Sequence, residues 1–280
     1  MSEQFRILLS DKKENMTSFS SLGEYKRMYK GEKVGHAGTL DSFASGLMIV
    51  MVGGATKLNP IFSSFGKRYI AEIEFGSETD TLDPTGKVVR TSPVIPTEDE
   101  IKAVLPSFLG RQKQVPPVYS AVHVDGKRAY KEARKDREIE MPEREIEIKA
   151  ISLISVSGNR CIIDCTVSKG TYIRSLARDI ALALGSCGHL VNLRRLEIGP
   201  FSLPDITLTT DELLEKTGLF GKLYFSSLHK KEIDNGTVKR EWIISSENND
   251  RPFSYMYIDD NLYGYIENGE KLKVMARCAG

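Results

Sequence analysis

Two kinds of period organise this chain. FRILLS (5–10) and Leu47-Met48-Ile49-Val50-Met51-Val52 are short continuous apolar runs, the pattern of buried strands, and Gly53-Gly54 ends the second. KRYIAEIEF alternates, with Tyr69, Ile73 and Phe75 on one face and Ile70, Glu72 and Glu74 on the other, which predicts a half-buried strand. REIEIKAISLISVS and CIIDCTVS flank Gly158-Asn159 and predict an antiparallel hairpin. Helical spacing shows three times. Phe19, Leu22, Tyr25 and Met28/Tyr29 follow Ser18 as a candidate N-cap and stop at Gly31. Thr97 and Glu100 form a capping box ahead of Ile101, Leu105 and Phe108. Ile173, Leu176, Ile180 and Leu184 make a stripe that Gly185 closes. Thr209 with Glu212 predicts one more short helix. From residue 222 onward the segments KLYFSSL, REWIIS, SYMYID, LYGYIE and KLKVMAR read as strands, with Asn268-Gly269 as a hairpin turn. The pattern is α+β with a β-rich tail.

Composition narrows the class. A chain of 280 residues, 40% hydrophobic and 28% charged, suits one large soluble domain plus a small one. No apolar run reaches the length of a membrane span, and MSEQFRILLSDKK lacks a signal-peptide pattern, so the expected location is the cytoplasm. Cys161, Cys165, Cys187 and Cys278 suggest no disulfide framework. Their spacing with His189 does not fit the common zinc modules, so buried thiols and no metal are expected. Net charge is only +1, and any nucleic-acid surface must come from local segregation. The strongest lies at 127–137, after a predicted turn at Asp125-Gly126. There six bases (Lys127, Arg128, Lys131, Arg134, Lys135, Arg137) face two acids, near Tyr119 and Tyr130. Such a segment grips an RNA backbone or is simply a solvated helix face.

The candidate chemistry centres on KVGHAGTLDSFASGLMIVMVGGATK (33–57). Asp41 follows a turn of small and polar residues and precedes the buried apolar run. A carboxylate on a glycine-rich loop can approach a ligand closely, although a surface turn whose Asp caps a helix fits the spacing equally well. Tyr172 and Arg174 fall in the first turn of the helix that carries the Ile173 stripe, where a cation opposes the helix dipole unless a carboxylate compensates. Asp80 and Asp83 in GSETDTLDPTG are expected to fix their loop through backbone bonds.

GHAGTLDSFASGLMIV closely resembles the G-H-x-G-T-L-D-x-x-A-x-G-(V/L)-L signature of the TruB family, the bacterial tRNA pseudouridine-55 synthases. DKKENMTS resembles that family's D-K-P-x-G-(M/x)-T-S, with Lys13 for the proline and Asn15 for the glycine; asparagine can supply the left-handed turn. Tyr69 matches the tyrosine of the family's K-R-Y segment. GSETDTLDPTG resembles G-x-x-T-D-T-x-D-x-x-G, and the S-K-G-T-Y-I-R motif is intact around Arg174. HLVNLRRLEIGPFSL resembles the next strand, with Leu193 at the substrate-lining leucine.

The resemblance covers residues 5 to 205 in family order and implies a specific fold. That fold is a pseudouridine-synthase catalytic domain over 1–209, on a mixed, largely antiparallel sheet flanked by helices. A thumb insertion at about 115–145 and a small PUA-like β-domain at 210–280 complete it. The family also implies Asp41, Tyr69 and Arg174 as catalytic residues. His36, Tyr69, Tyr172, Leu193, Lys12 and Thr39 would meet the substrate, Lys12 either supporting the active-site loop or holding a phosphate. Lys127, Arg128, Lys131 and Arg134 would hold the RNA backbone. The implied reaction is isomerisation of a flipped-out T-loop uridine in tRNA by a monomer, without cofactor or metal. Rival readings are another pseudouridine synthase specificity, an RNA-binding protein without catalysis, and a tRNA-folding helper. Deletion of 211–280 is expected to leave chemistry on bound substrate largely intact.

Overall fold

The computed structural model describes residues 5–120, 123–124, 127–128, 141–259, 261–269 and 271–277. The chain runs through β1 (Phe5–Lys12), α1 (Gly23–Met28), β2 (Val34–Ala37), β3 (Ser45–Gly53), α2 (Asn59–Ser64), β4 (Lys67–Phe75), β5 (Ser77–Thr79), β6 (Val88–Thr91) and α3 (Glu98–Val104). Next come β7 (Gly110–Gln114), β8 (His123–Val124), β9 (Lys127–Arg128), β10 (Arg144–Ser157), β11 (Arg160–Val167), α4 (Ile173–Ala183), β12 (Gly188–Ile198) and β13 (Phe201–Ser202). The last elements are α5 (Thr210–Lys216), β14 (Phe220–Phe225), α6 (Lys230–Asp234), β15 (Ile243–Glu247), β16 (Phe253–Ile258), β17 (Asn261–Asn268) and β18 (Leu272–Arg277).

A nine-stranded sheet carries the site, in the order β1-β3-β12-β4-β11-β10-β7, with β2 on β3 and β13 on β12. Its pairings are antiparallel except β12 with β3, which run parallel over Arg194–Ser45 and Arg195–Gly46. The sheet is therefore mixed and largely antiparallel, as expected. The strand patterns explain the burial. Every residue of β3 is buried, matching its continuous apolar run, whereas β4 alternates buried and half-buried along its whole length. On one face, Ile173, Leu176 and Ile180 of α4 pack with Ile101 and Leu105 of the α3 region against Tyr69, Ala71, Ile73 and Leu193. The predicted capping box at Thr97 forms, and α4 stops just before Gly185, whose φ is +70°.

A second sheet, β15-β14-β16-β17-β18, forms the tail. It shares a hydrophobic cluster with the first sheet: Leu213, Leu214, Tyr255 and Tyr265 join Phe5, Ile7, Leu47 and Ile49. Phe5 stacks on Tyr265 at 4.0 Å.

One predicted helix is corrected. The stretch from Phe19 to Tyr29 forms a short 3-10 turn and the six-residue α1, and Phe19 and Met28 are exposed rather than buried. Ser18 does not cap it. Its hydroxyl donates to the Leu40 carbonyl and accepts from the Leu40 amide, both at 2.8 Å, joining this segment to the loop that carries Asp41. Asn15 has φ +60°, the left-handed conformation expected of it. The turn predicted at Asp125-Gly126 lies outside the described residues, though β8 and β9 on either side of it pair antiparallel.

Candidate active site

Asp41 sits in the loop between β2 and β3. Two buried polar groups hold that loop from below. Ser18 brackets Leu40, and the Lys12 ammonium donates to the carbonyls of Met16 (2.7 Å), Lys13 (3.0 Å) and Ser42 (3.3 Å). Lys12 is almost completely buried and burial holds its pKa down. Of its two expected roles, the geometry assigns loop support: its three protons are spent on carbonyls, leaving none for a phosphate.

Arg174 reaches Asp41 from the second position of α4. Its Nη2 donates to Asp41 Oδ1 at 3.3 Å, and Nε lies 3.0 Å from Oδ2 without the alignment of a hydrogen bond. The guanidinium itself is buried and further tied to the carbonyls of Thr81 (2.8 Å) and Tyr119 (3.1 Å). Asp83 Oδ2 lies 3.5 Å from its Nη1. The carboxylates of Asp41 and Asp83 are thus the compensation that a cation in a first helical turn requires. Asp83 also fixes its own loop, accepting at Oδ1 from the Thr81 hydroxyl (2.8 Å), the Thr85 amide (2.9 Å) and the Thr85 hydroxyl (2.5 Å). Sequence reasoning found that second task and missed the first.

A cavity of about 460 Å³ opens above the Asp41–Arg174 pair. It brings together Thr39, Asp41, Tyr69, Tyr172, Arg174 and Leu193 from four separate stretches of sequence. The Asp41 side chain keeps 38% of its surface open to this concavity, while protein closely surrounds it on its other sides. That enclosure raises its pKa; Arg174 pulls the other way, Asp83 adds to the rise, and Lys12 opposes it. The net direction is upward, so the arginine moderates the effect of burial without reversing it. Burial also raises the pKa of Tyr69, and its phenol is protonated near neutral pH. Tyr172 is fixed by Gln114, whose side chain accepts from its amide at 2.9 Å and donates to its carbonyl at 3.1 Å. The Arg144 guanidinium lies 5.1 Å from the Tyr172 ring centroid.

His36 is not among the residues lining the cavity. It lies half-buried on β2, its pKa lowered by burial and then by Arg195, and its Nδ1 has no hydrogen-bond partner among the described residues. Lys131 and Arg134 lie outside the described residues; of Lys127 and Arg128 the structure gives only the backbone of β9. Two charged cavity residues escaped sequence reasoning: Lys67 and Arg195. Strand parity would have found them, since Lys67 shares a face with Tyr69 and Arg195 is two residues past Leu193. Cys161 and Cys165 are buried thiols with pKa values pushed up to about 12, chiefly by burial. Among the described residues no cluster of three metal-ligating side chains occurs, and no helix is long and apolar enough to cross a membrane.

Residues 26–173 match the model for the TruB family pseudouridylate synthase N-terminal domain, and 174–222 match that for the tRNA pseudouridylate synthase B C-terminal domain. The tRNA pseudouridine synthase B of Borreliella burgdorferi (strain ZS7) is 42% identical over 234 residues, covering 83% of this chain and 82% of its own. That of Bordetella avium (strain 197N) is 44% identical over 214 residues, covering 75% and 87%. The fold also resembles a chain in the crystal structure of a Cbf5-Nop10-Gar1 complex, with TM-score 0.64 and 24% identity over 99% of this chain and 84% of that one.

Proposed function

The chain belongs to the TruB family of pseudouridylate synthases, and from that premise we propose that its substrate is the T-loop uridine at position 55 of tRNA. It is an isomerase that converts a uridine of tRNA to pseudouridine. In that reaction the N1–C1′ bond breaks, the base turns, C5 bonds to C1′, and the proton lost from C5 is matched by one gained at N1. Atoms and electrons balance with no external oxidant or reductant.

The observation that carries the assignment of roles is the Asp41–Arg174 contact in the lining of the cavity. Asp41 is the one carboxylate among the described residues lining it, so acid–base or nucleophilic work by a carboxylate at the sugar falls to this group. Arg174, anchored by the Thr81 and Tyr119 carbonyls and by Asp83, orients it and favours its anion. A base inside a stacked loop must leave the stack to reach the cavity. Tyr69, Tyr172 and Leu193, which line that cavity, serve as its walls in this reading. Protonated and enclosed, Tyr69 suits a wall and hydrogen-bond donor better than a base. We assign residues 1–209 to the catalytic unit, with the insertion at about 115–145 and its Lys127, Arg128, Lys131 and Arg134 gripping the RNA backbone. Residues 210–280 form the PUA-like unit. Incubating the protein with unmodified tRNA and mapping pseudouridine by position tests the specificity: modification at 55 is expected, and modification only elsewhere contradicts it.

A further inference from the structure

Arg195 is fully buried, with 0% of its surface exposed. A guanidinium stays charged at any working pH, and burying a charge costs free energy unless an opposite charge pairs with it. Arg174 meets this condition through Asp41 and Asp83. Arg195 does not: none of the described carboxylates lies within ion-pairing distance of it, nor of Lys67. Its Nε donates to the Leu47 carbonyl at 2.7 Å, while its buried Nη2 has no hydrogen-bond partner among the described residues.

Lys67 meets Arg195 at the same end of the cavity. A Cβ built on Gly38 would lie 3.6 Å from both Arg195 Nη1 and Lys67 Cε, so the two cations and the Gly38 backbone converge there. The Lys67 ammonium donates to the carbonyls of Ser63 (2.9 Å) and Phe65 (2.5 Å), which leaves one of its three protons. Burial, then Arg195 and Lys169, lower its pKa to about 8, the response of an amine in surroundings short of negative charge. Both side chains line the cavity that holds Asp41.

We propose that Lys67, with the buried charge of Arg195 close behind it, forms an anion subsite that takes a backbone phosphate of the target nucleotide while its base occupies the cavity beside Asp41. The inference rests on the isomerase reading above, because RNA is what brings a phosphate alongside every base. A neutral uracil carbonyl could accept one hydrogen bond but would leave both charges uncompensated. A phosphate supplies several acceptor oxygens and the missing charge together. The subsite would also fix the sugar against Asp41, since a phosphate held at one end of the cavity sets where C1′ lies.

Arg195 also holds the Leu47 carbonyl, so its variants put the fold at risk, and Lys67 carries the test. The probes are T-arm hairpin RNAs in which single phosphates flanking the target uridine are replaced by neutral methylphosphonates. With wild-type protein, one such linkage is expected to lower kcat/KM by roughly 10–100-fold, the worth of a hydrogen bond to a charged group. Lys67→Met should lose a similar factor on the all-phosphate hairpin and little more on the neutral-linkage one; Lys67→Arg should recover part of the loss. A purely structural lysine would leave the two effects multiplicative. Equal sensitivity of wild type and Lys67→Met to that linkage overturns the subsite, as does a wild type indifferent to every single replacement. Conversion of the all-phosphate hairpin by wild type separately checks the isomerase reading, and the same comparison made on equilibrium affinity decides the subsite even if that conversion fails.

Discussion

Asp41 must be ionised to act as a base or nucleophile, and its surroundings resist ionisation. Burial raises its pKa most, Arg174 lowers it, and Asp83 raises it again. The sign follows: the reactive anion is lost as pH falls, and lost at a pH above the ordinary carboxylate range. Asp83→Asn removes a negative neighbour and makes Asp41 easier to ionise. The acid limb of the single-turnover pH profile should therefore move to lower pH. The plateau should fall roughly tenfold, the equivalent of ~1.4 kcal/mol, because Arg174 loses one anchor. A limb displaced to higher pH would contradict the charge assignment. At this scale the sequence was readable where residues sit in a long ordered motif, as Asp41, Tyr69 and Arg174 do. Lys67 and Arg195 were not read because a basic residue at the start of a strand, or one of two adjacent arginines, looks like a solvated position. Of the pair, Arg194 points outward to Asp11 at 2.8 Å while Arg195 turns in.

Elements were legible where one face is buried and illegible where burial is partial. The alternation of β4 and the stripe of α4 survive intact because a packed face enforces the period. The 19–29 segment has the helical spacing but little to pack against. Only Leu22 on its stripe is fully buried, and the Lys26 ammonium sits 3.4 Å from the centroid of the exposed Phe19 ring. The parallel contact of β3 with β12 was also beyond the sequence, because it depends on one close approach. Gly46 has φ +110°, and a Cβ there would lie 2.2 Å from the Arg195 carbonyl oxygen. Gly46→Ala combines backbone strain with a clash against main chain, and is expected to cost about 2–5 kcal/mol. Denaturant unfolding checks this, with a lower midpoint at unchanged slope. A midpoint equal to wild type would mean that β12 can slide away from β3 freely.

Across the whole molecule the tail is less separable than its composition suggests. Phe5, Ile7, Leu47 and Ile49 of the catalytic sheet share a core with Leu213, Leu214, Tyr255 and Tyr265. Removing 211–280 would expose these apolar side chains on β1 and β3, and β3 follows directly from the loop that carries Asp41. The expectation of intact chemistry in a truncated protein therefore acquires a stability cost that no linear reading could reveal, since the contact joins the two ends of the chain. Catalysis turns on Asp41 as the reacting group, and binding on a surface spread over many other contacts. The most direct measurement is single-turnover pseudouridine formation by Asp41→Ala alongside its affinity for the same tRNA. The expected result is no detectable product with binding retained. Appreciable pseudouridine from a correctly folded Asp41→Ala protein would contradict the assignment.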